Sequence, residues 1–178
     1  MNLKKLSAIS ALLTLVLTAC VNEVKAPAES DDEFSDISLQ LAFVAMEDNG
    51  ASGEAIGCGD SIVFVDKTVS ASSTITDSAK VEMALNELFA VGTPFYGQSG
   101  LYNGLTHSSG LVVDAITIED VTIRVNIGGE MISAGTCDDP RIKEQIISTI
   151  EANSEFTVSD EDVFINGESL RDHFDMRG

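Results

Sequence analysis

The chain has 178 residues, with 29 Asp+Glu against 10 Lys+Arg and a formal net charge of −19. That field disfavours nucleic acid and anionic lipid head groups as partners; it suits basic partners or a salty habitat, and it is equally what a plain solvated acidic surface gives. The length fits a single domain with a real core, and two histidines with three cysteines leave few ligands for a zinc site.

The first elements are those of a targeting segment. Lys4 and Lys5 precede an apolar run from Leu6 to Leu17. The run is shorter than the roughly 20 residues a membrane-spanning helix needs, and it fits a signal-peptide h-region. It ends in Leu17-Thr18-Ala19-Cys20, which looks like a bacterial lipobox. Small residues let a peptidase hold an extended backbone, and the cysteine sulfur attacks the lipid donor. An ordinary signal peptide cleaved near a cysteine is the competing reading. The expectation is a signal peptide over 1–19 and a lipidated Cys20 carrying acyl chains such as palmitate. Several chains would anchor the protein stably, where one gives only marginal binding. No Asp follows Cys20, so in a Gram-negative cell the expected place is the periplasmic face of the outer membrane.

Residues 20–36 are rich in acids and poor in large apolar side chains, which predicts a charge-extended tether. The single folded domain is expected over 37–178. Ile37–Met46 and Ser61–Val69 read as strands, with a Gly-, Ser- and acid-rich loop between them. Thr76 or Asp77 can cap a helix to about Phe89, on which Val81, Ala84, Leu85, Leu88 and Phe89 form one apolar stripe. Residues 92–110 read as a long Gly-rich loop. Leu111–Ile118 and Val121–Ile127 predict a hairpin turning at Glu119-Asp120. Cys137-Asp138-Asp139-Pro140 opens a second helix, with Pro140 expected at its first position. Ile142, Ile146 and Ile150 line one face of it. Val158–Ile165 predicts a last strand, and Asn166-Gly167 a turn. The resulting order is βαββαβ. It predicts an α/β (α+β) sandwich, with a mixed sheet of about four strands and two helices on one face.

These residues resemble the GerMN domain, a family of envelope lipoproteins named for spore germination. The matching stretches are Gly57-Cys58-Gly59-Asp60-Ser61, Ala84-Leu85-Asn86-Glu87-Leu88, Gly100-Leu101-Tyr102-Asn103, Gly135 to Ile142, and Phe164-Ile165-Asn166-Gly167. The resemblance covers most of the folded part. It implies an α/β sandwich and a non-catalytic binding or assembly module, and no link to sporulation here.

No catalytic motif emerges. Gly97-Gln98-Ser99-Gly100 has the wrong spacing for a hydrolase elbow. His107 and His173 do not form a metal pair, so neither a metal nor a cofactor is expected. If Cys20 is lipidated, Cys58 and Cys137 are left outside the cytoplasm, where a disulfide is the expected state. Two separate buried thiols, or one reactive cysteine, is the alternative. A bridge would draw Asp60, Asp138 and Arg141 together. Arg141 could then clamp a ligand carboxylate or form a structural ion pair. Tyr102, Asn103, Asp60, Asp138 and Arg141 are the candidate binding residues. Two functions remain open, a protein-interaction module and a small-ligand or glycan-binding lipoprotein. Beyond the membrane that holds Cys20, the expected partner is another envelope protein.

Overall fold

The computed structural model describes residues 33–175, so the signal peptide, Cys20 and most of the acidic tether lie outside the described residues. The fold is α+β, as predicted, with its strands divided between two sheets. Strands β1 (Phe34–Ala45), β2 (Glu54–Ile56) and β3 (Asp60–Ser72) form an antiparallel sheet in the order β1-β3-β2. Strands β4 (Ser109–Glu119), β5 (Thr122–Glu130), β6 (Val163–Ile165) and β7 (Glu168–Ser169) form the mixed sheet, in which β5 and β6 run parallel. The helices are α1 (Asp77–Phe89), α2 (Asp138–Ala152) and the short α3 (Leu170–Asp175).

Strand β1 begins at Phe34, three residues before the boundary read from composition, because Phe34 to Asp36 pair with Ser70 to Ser72 of β3. A long-range partner overrides local acidity there. The final strand is shorter than predicted. Residues 159–162 turn instead, because Asp162 accepts hydrogen bonds from the Ser159 amide and hydroxyl. Such local bonds compete with a strand ladder. Asn166 and Gly167 both take left-handed backbone, which is what a tight hairpin turn between β6 and β7 requires.

Helix α1 follows its pattern. Thr76 caps it by accepting from the Ala79 amide, and Val81, Ala84, Leu85 and Leu88 are fully buried. Helix α2 starts two residues earlier than expected, so Pro140 is its third residue rather than its first. The correction is small in physical terms, since every amide in the first turn lacks an intrahelical partner. Ile142, Ile146 and Ile150 join Leu39, Leu41 and Phe43 of β1, Ile123, Val125 and Ile127 of β5, and Leu170 of α3 in one core. A fully buried Leu or Ile side chain contributes about 1.5–3 kcal/mol.

A second face of α2 was not foreseen. Gln145, Thr149 and Asn153 recur every four residues and are buried. Thr149 and Asn153 lie along the free edge of β1, while Gln145 reaches Asn103 and the Gly104 amide. The Asn153 side-chain amide donates to the Gln40 carbonyl at 2.7 Å, and its oxygen accepts from the Gln40 amide at 3.1 Å. Thr149 Oγ1 accepts from the Ala42 amide at 3.0 Å. Beyond them, Val44 exchanges two backbone bonds with Tyr102. The helix thus supplies, through side chains, the partners that a neighbouring strand would have given, and it closes an edge open to aggregation. Replacing Thr149 by the isosteric Val would leave the buried Ala42 amide without an acceptor. The expected cost is about 1–3 kcal/mol, read as a lower melting temperature together with faster hydrogen exchange at Ala42.

Candidate functional site

The predicted polar residues converge where three segments meet: the end of β1, the loop before β3 and the start of α2. Cys58 and Cys137 are disulfide-bonded, their Cα atoms 5.7 Å apart. Cys58 sits in a short 3-10 turn, Gly57–Gly59, and takes left-handed backbone with φ 64°. Gly59 also has positive φ, and a side chain there would strike Asn49. The sharp turn therefore needs glycine beside the cysteine. It delivers Asp60 into the interior at once.

Asp60 has no exposed surface. Its Oδ1 accepts from the Glu47 amide at 2.8 Å, and its Oδ2 accepts from Arg141 Nε at 2.6 Å. Arg141, whose side chain is 15% exposed, also donates from Nη1 to Asp138 Oδ1 at 3.0 Å. The second Asp138 oxygen accepts from the Tyr102 hydroxyl at 3.3 Å and the Ala134 amide at 3.2 Å. The guanidinium lies over the Tyr102 ring, with Cζ 5.3 Å from its centroid. Stacked and forked contacts of this kind suit arginine and not lysine.

Burial pulls the Arg141 pKa down, but hydrogen bonds and charge from Asp60 and Asp138 more than offset this, and the net shift is upward. The Tyr102 pKa is raised, first by burial and then by the Asp138 charge and hydrogen bond, with Arg141 opposing. Both shifts hold these groups in their ordinary neutral-pH states. Neither prepares a general acid or base near pH 7.

A cavity of about 300 Å³ opens beside this hub, lined by Met46, Tyr102, the 134–137 segment, Asp138 and Arg141. A second hollow, of about 250 Å³, shares the Ala134-Gly135-Thr136 backbone and reaches Asp139. Of the five candidate binding residues, Tyr102, Asp138 and Arg141 line the first cavity. Asp60 and Asn103 do not. Asn103 is withdrawn from solvent because its side chain staples a loop: its Nδ2 donates to the Val91 carbonyl at 2.7 Å, and its Oδ1 accepts from the Leu105 amide and from Gln145 Nε2. It is an internal partner and not a ligand contact. Met46 and the 134–136 backbone carry no polar motif in the sequence. Closeness to Cys137 could have signalled the 134–136 segment, and nothing near Met46 in sequence signals it.

The fold and site together define a small α+β domain stapled by one disulfide beside an arginine–dicarboxylate hub. No family model and no curated protein matches the sequence. Among solved structures the chain is similar to the tandem GerMN domains of the sporulation protein GerM from Bacillus subtilis. The identity is 16%, the TM-score 0.47, and the match covers 76% of this chain and 41% of that one. It is also similar to a candidate lipoprotein from Clostridium perfringens, at 15% identity and a TM-score of 0.40, over 76% of this chain and 80% of that one. This chain thus spans less than half the length of the tandem-domain protein.

Proposed function

We propose that this chain is an envelope-anchored, non-catalytic lipoprotein whose GerMN-like domain serves as a protein-interaction or assembly module. Lipid on Cys20 holds it at a membrane surface outside the cytoplasm, on the periplasmic face of the outer membrane in a Gram-negative cell. One observation carries the reading, the contrast between what the interior uses and what the surface offers. Asp60, Asp138 and Arg141 share their hydrogen bonds with one another, with the Tyr102 hydroxyl and with the backbone. The accessible surface instead presents large apolar side chains, among them Phe34, Phe64, Phe95, Val112, Ile118 and Val121. Exposed aromatics ringed by polar groups are the raw material of interfaces.

The test is crosslinking in intact envelopes. The lipidated chain is expected to carry acyl mass on Cys20 and to capture one envelope protein reproducibly, with Cys20→Ala leaving the precursor unprocessed. A hydrolytic activity lost in Asp138→Asn, with no protein captured, would overturn the proposal. The cavity beside Tyr102 and Arg141 favours the second reading, a small-ligand or glycan-binding lipoprotein. Saturable binding of a saccharide or small polar ligand, abolished by Tyr102→Ala, would select that reading instead.

A further inference from the structure

Away from the hub, β3 carries a surface that neither the core nor the cavity uses. Strand β2 pairs with β3 only from Asp60 to Ile62, with Glu54 opposite Ile62. Side chains alternate along a strand, so the next β3 residue on the face of Glu54 and Ile62 is Phe64. It stands on the diagonal from Glu54, within reach of it. Phe64 is 46% exposed, although the residue opposite it, Ala42, is fully buried. Ala42, opposite Phe64, belongs to a small apolar cluster with Val44 and Ile62, against which Ile56 and Tyr102 pack.

Helix α2 packs against β2 and β3, and its Glu144 and Glu151 lie close enough to Glu54 to feel its charge. The pKa values of Glu144 and Glu151 are both raised, first by burial and next by the charge of Glu54. Glu151 and Asp160 raise Glu144 further, and Lys143 opposes only weakly. Lys143 is committed elsewhere, at 3.5 Å from Asp160 and 3.8 Å from Asp175. Among the described residues, Glu54, Glu144 and Glu151 have no ion pair. No group of carboxylates there is disposed to hold a metal either. Three unneutralised like charges beside a half-exposed aromatic ring oppose folding twice over, through repulsion and through wetted apolar surface. One kind of occupant relieves both at once.

We infer that the surface formed by Phe64, Glu54, Glu144 and Glu151 docks a basic polypeptide segment, whose apolar side chain seats on Phe64 while flanking lysines or arginines pair with the three carboxylates. The inference rests on the interaction-module reading and gives that module's partner a chemistry. The net charge of −19 steers such a segment toward the chain from a distance, and the patch fixes where it lands.

The probe is a short synthetic peptide alternating Lys and Leu, titrated against the full chain at physiological salt and read by fluorescence anisotropy. A peptide with Glu replacing Lys is the control. The Lys–Leu peptide is expected to bind saturably and the Glu–Leu peptide not at all. The triple variant Glu54→Gln, Glu144→Gln, Glu151→Gln should weaken binding about tenfold, and Phe64→Ser by a similar factor. Removing as many exposed charges elsewhere, by Glu82→Gln, Glu119→Gln, Glu155→Gln, should change affinity by less than about twofold. Equal weakening by the two triple variants means undirected charge attraction and overturns the inference, as does an unchanged affinity for Phe64→Ser. Circular dichroism of each variant verifies the fold. If an envelope protein is still captured by a variant lacking all four side chains, this surface falls while the module reading stands. If the peptide binds as expected and no protein is ever captured, the module reading falls alone.

Discussion

Replacing Arg141 by Met is expected to destabilise the domain by about 3–5 kcal/mol, a large share of what a domain this size possesses. The stranded charge of Asp60 matters more here than the missing guanidinium packing. Asp60 has no exposed surface, and without the guanidinium its Oδ2 is deprived of its donor at 2.6 Å. Only the Glu47 amide would remain on that carboxylate. Asp60 itself does not line the cavity beside Tyr102 and Arg141, so solvent is a poor substitute for the guanidinium at that carboxylate. Asp138 would keep Tyr102 and the Ala134 amide on one oxygen and lose Arg141 from the other. The partner substitution separates this account from simple loss of packing. Asp60→Asn with Arg141→Met removes the stranded charge, so the double variant should be more stable than the sum of the two single losses. Chemical denaturation of all four proteins measures it. If the single effects add, or if Arg141→Met costs less than about 1 kcal/mol, the hub is a surface ion pair of the ordinary weak kind.

What was legible in advance follows from how far each signal reaches along the chain. The helices were legible because their cores repeat locally, as Val81, Leu85 and Leu88 do, and Ile142, Ile146 and Ile150. The convergence of Asp60, Asp138 and Arg141 was legible through cysteine arithmetic, since a bridge between Cys58 and Cys137 leaves their neighbours little choice. Gln145, Thr149 and Asn153 were not. A polar stripe on a helix ordinarily faces water, and nothing near it in sequence says otherwise. Its partners Gln40 and Ala42 lie more than 100 positions away. Asn103 misled for the same reason: a polar residue in a Gly-rich loop reads as a surface contact, and its role depends on Val91 and Gln145. The division into two sheets turned on pairings such as Phe34 with Ser72, which no local window contains. Lys67 shows the same limit. It lies on the face of β3 that includes Val65 and Val69, and its ammonium reaches Glu87 of α1 at 3.3 Å. An inward charge on a strand with a free edge discourages a second sheet from adding there.

Opening the Cys58–Cys137 bridge, by Cys58→Ser with Cys137→Ser, is expected to lower stability by about 2–5 kcal/mol. The two cysteines are 79 positions apart, and the loop between them takes in β3, α1, β4 and β5. In the chain-entropy model so long a closed loop restricts the unfolded chain by roughly 4–5 kcal/mol. The folded state contributes a second effect. Cys58 holds left-handed backbone, costly for a residue with a side chain. The bridge and the Gly57–Pro140 contact keep that turn against α2, where a side chain on Gly57 would meet the Pro140 ring. Released, the turn can relax, and Asp60, two residues on, loses its fixed approach to Arg141. The losses from the double serine variant and from Arg141→Met should therefore not add, because each undoes part of what the other needs. Reduction of the native chain should reproduce the shift in melting temperature, and the serine variant should then be indifferent to reductant. Alkylation of the denatured, non-reduced chain should label neither Cys58 nor Cys137. Labelling of either, or a melting temperature unmoved by reductant, would mean that the staple does not hold the site. The position of Arg141 would then have to come from α2 packing alone.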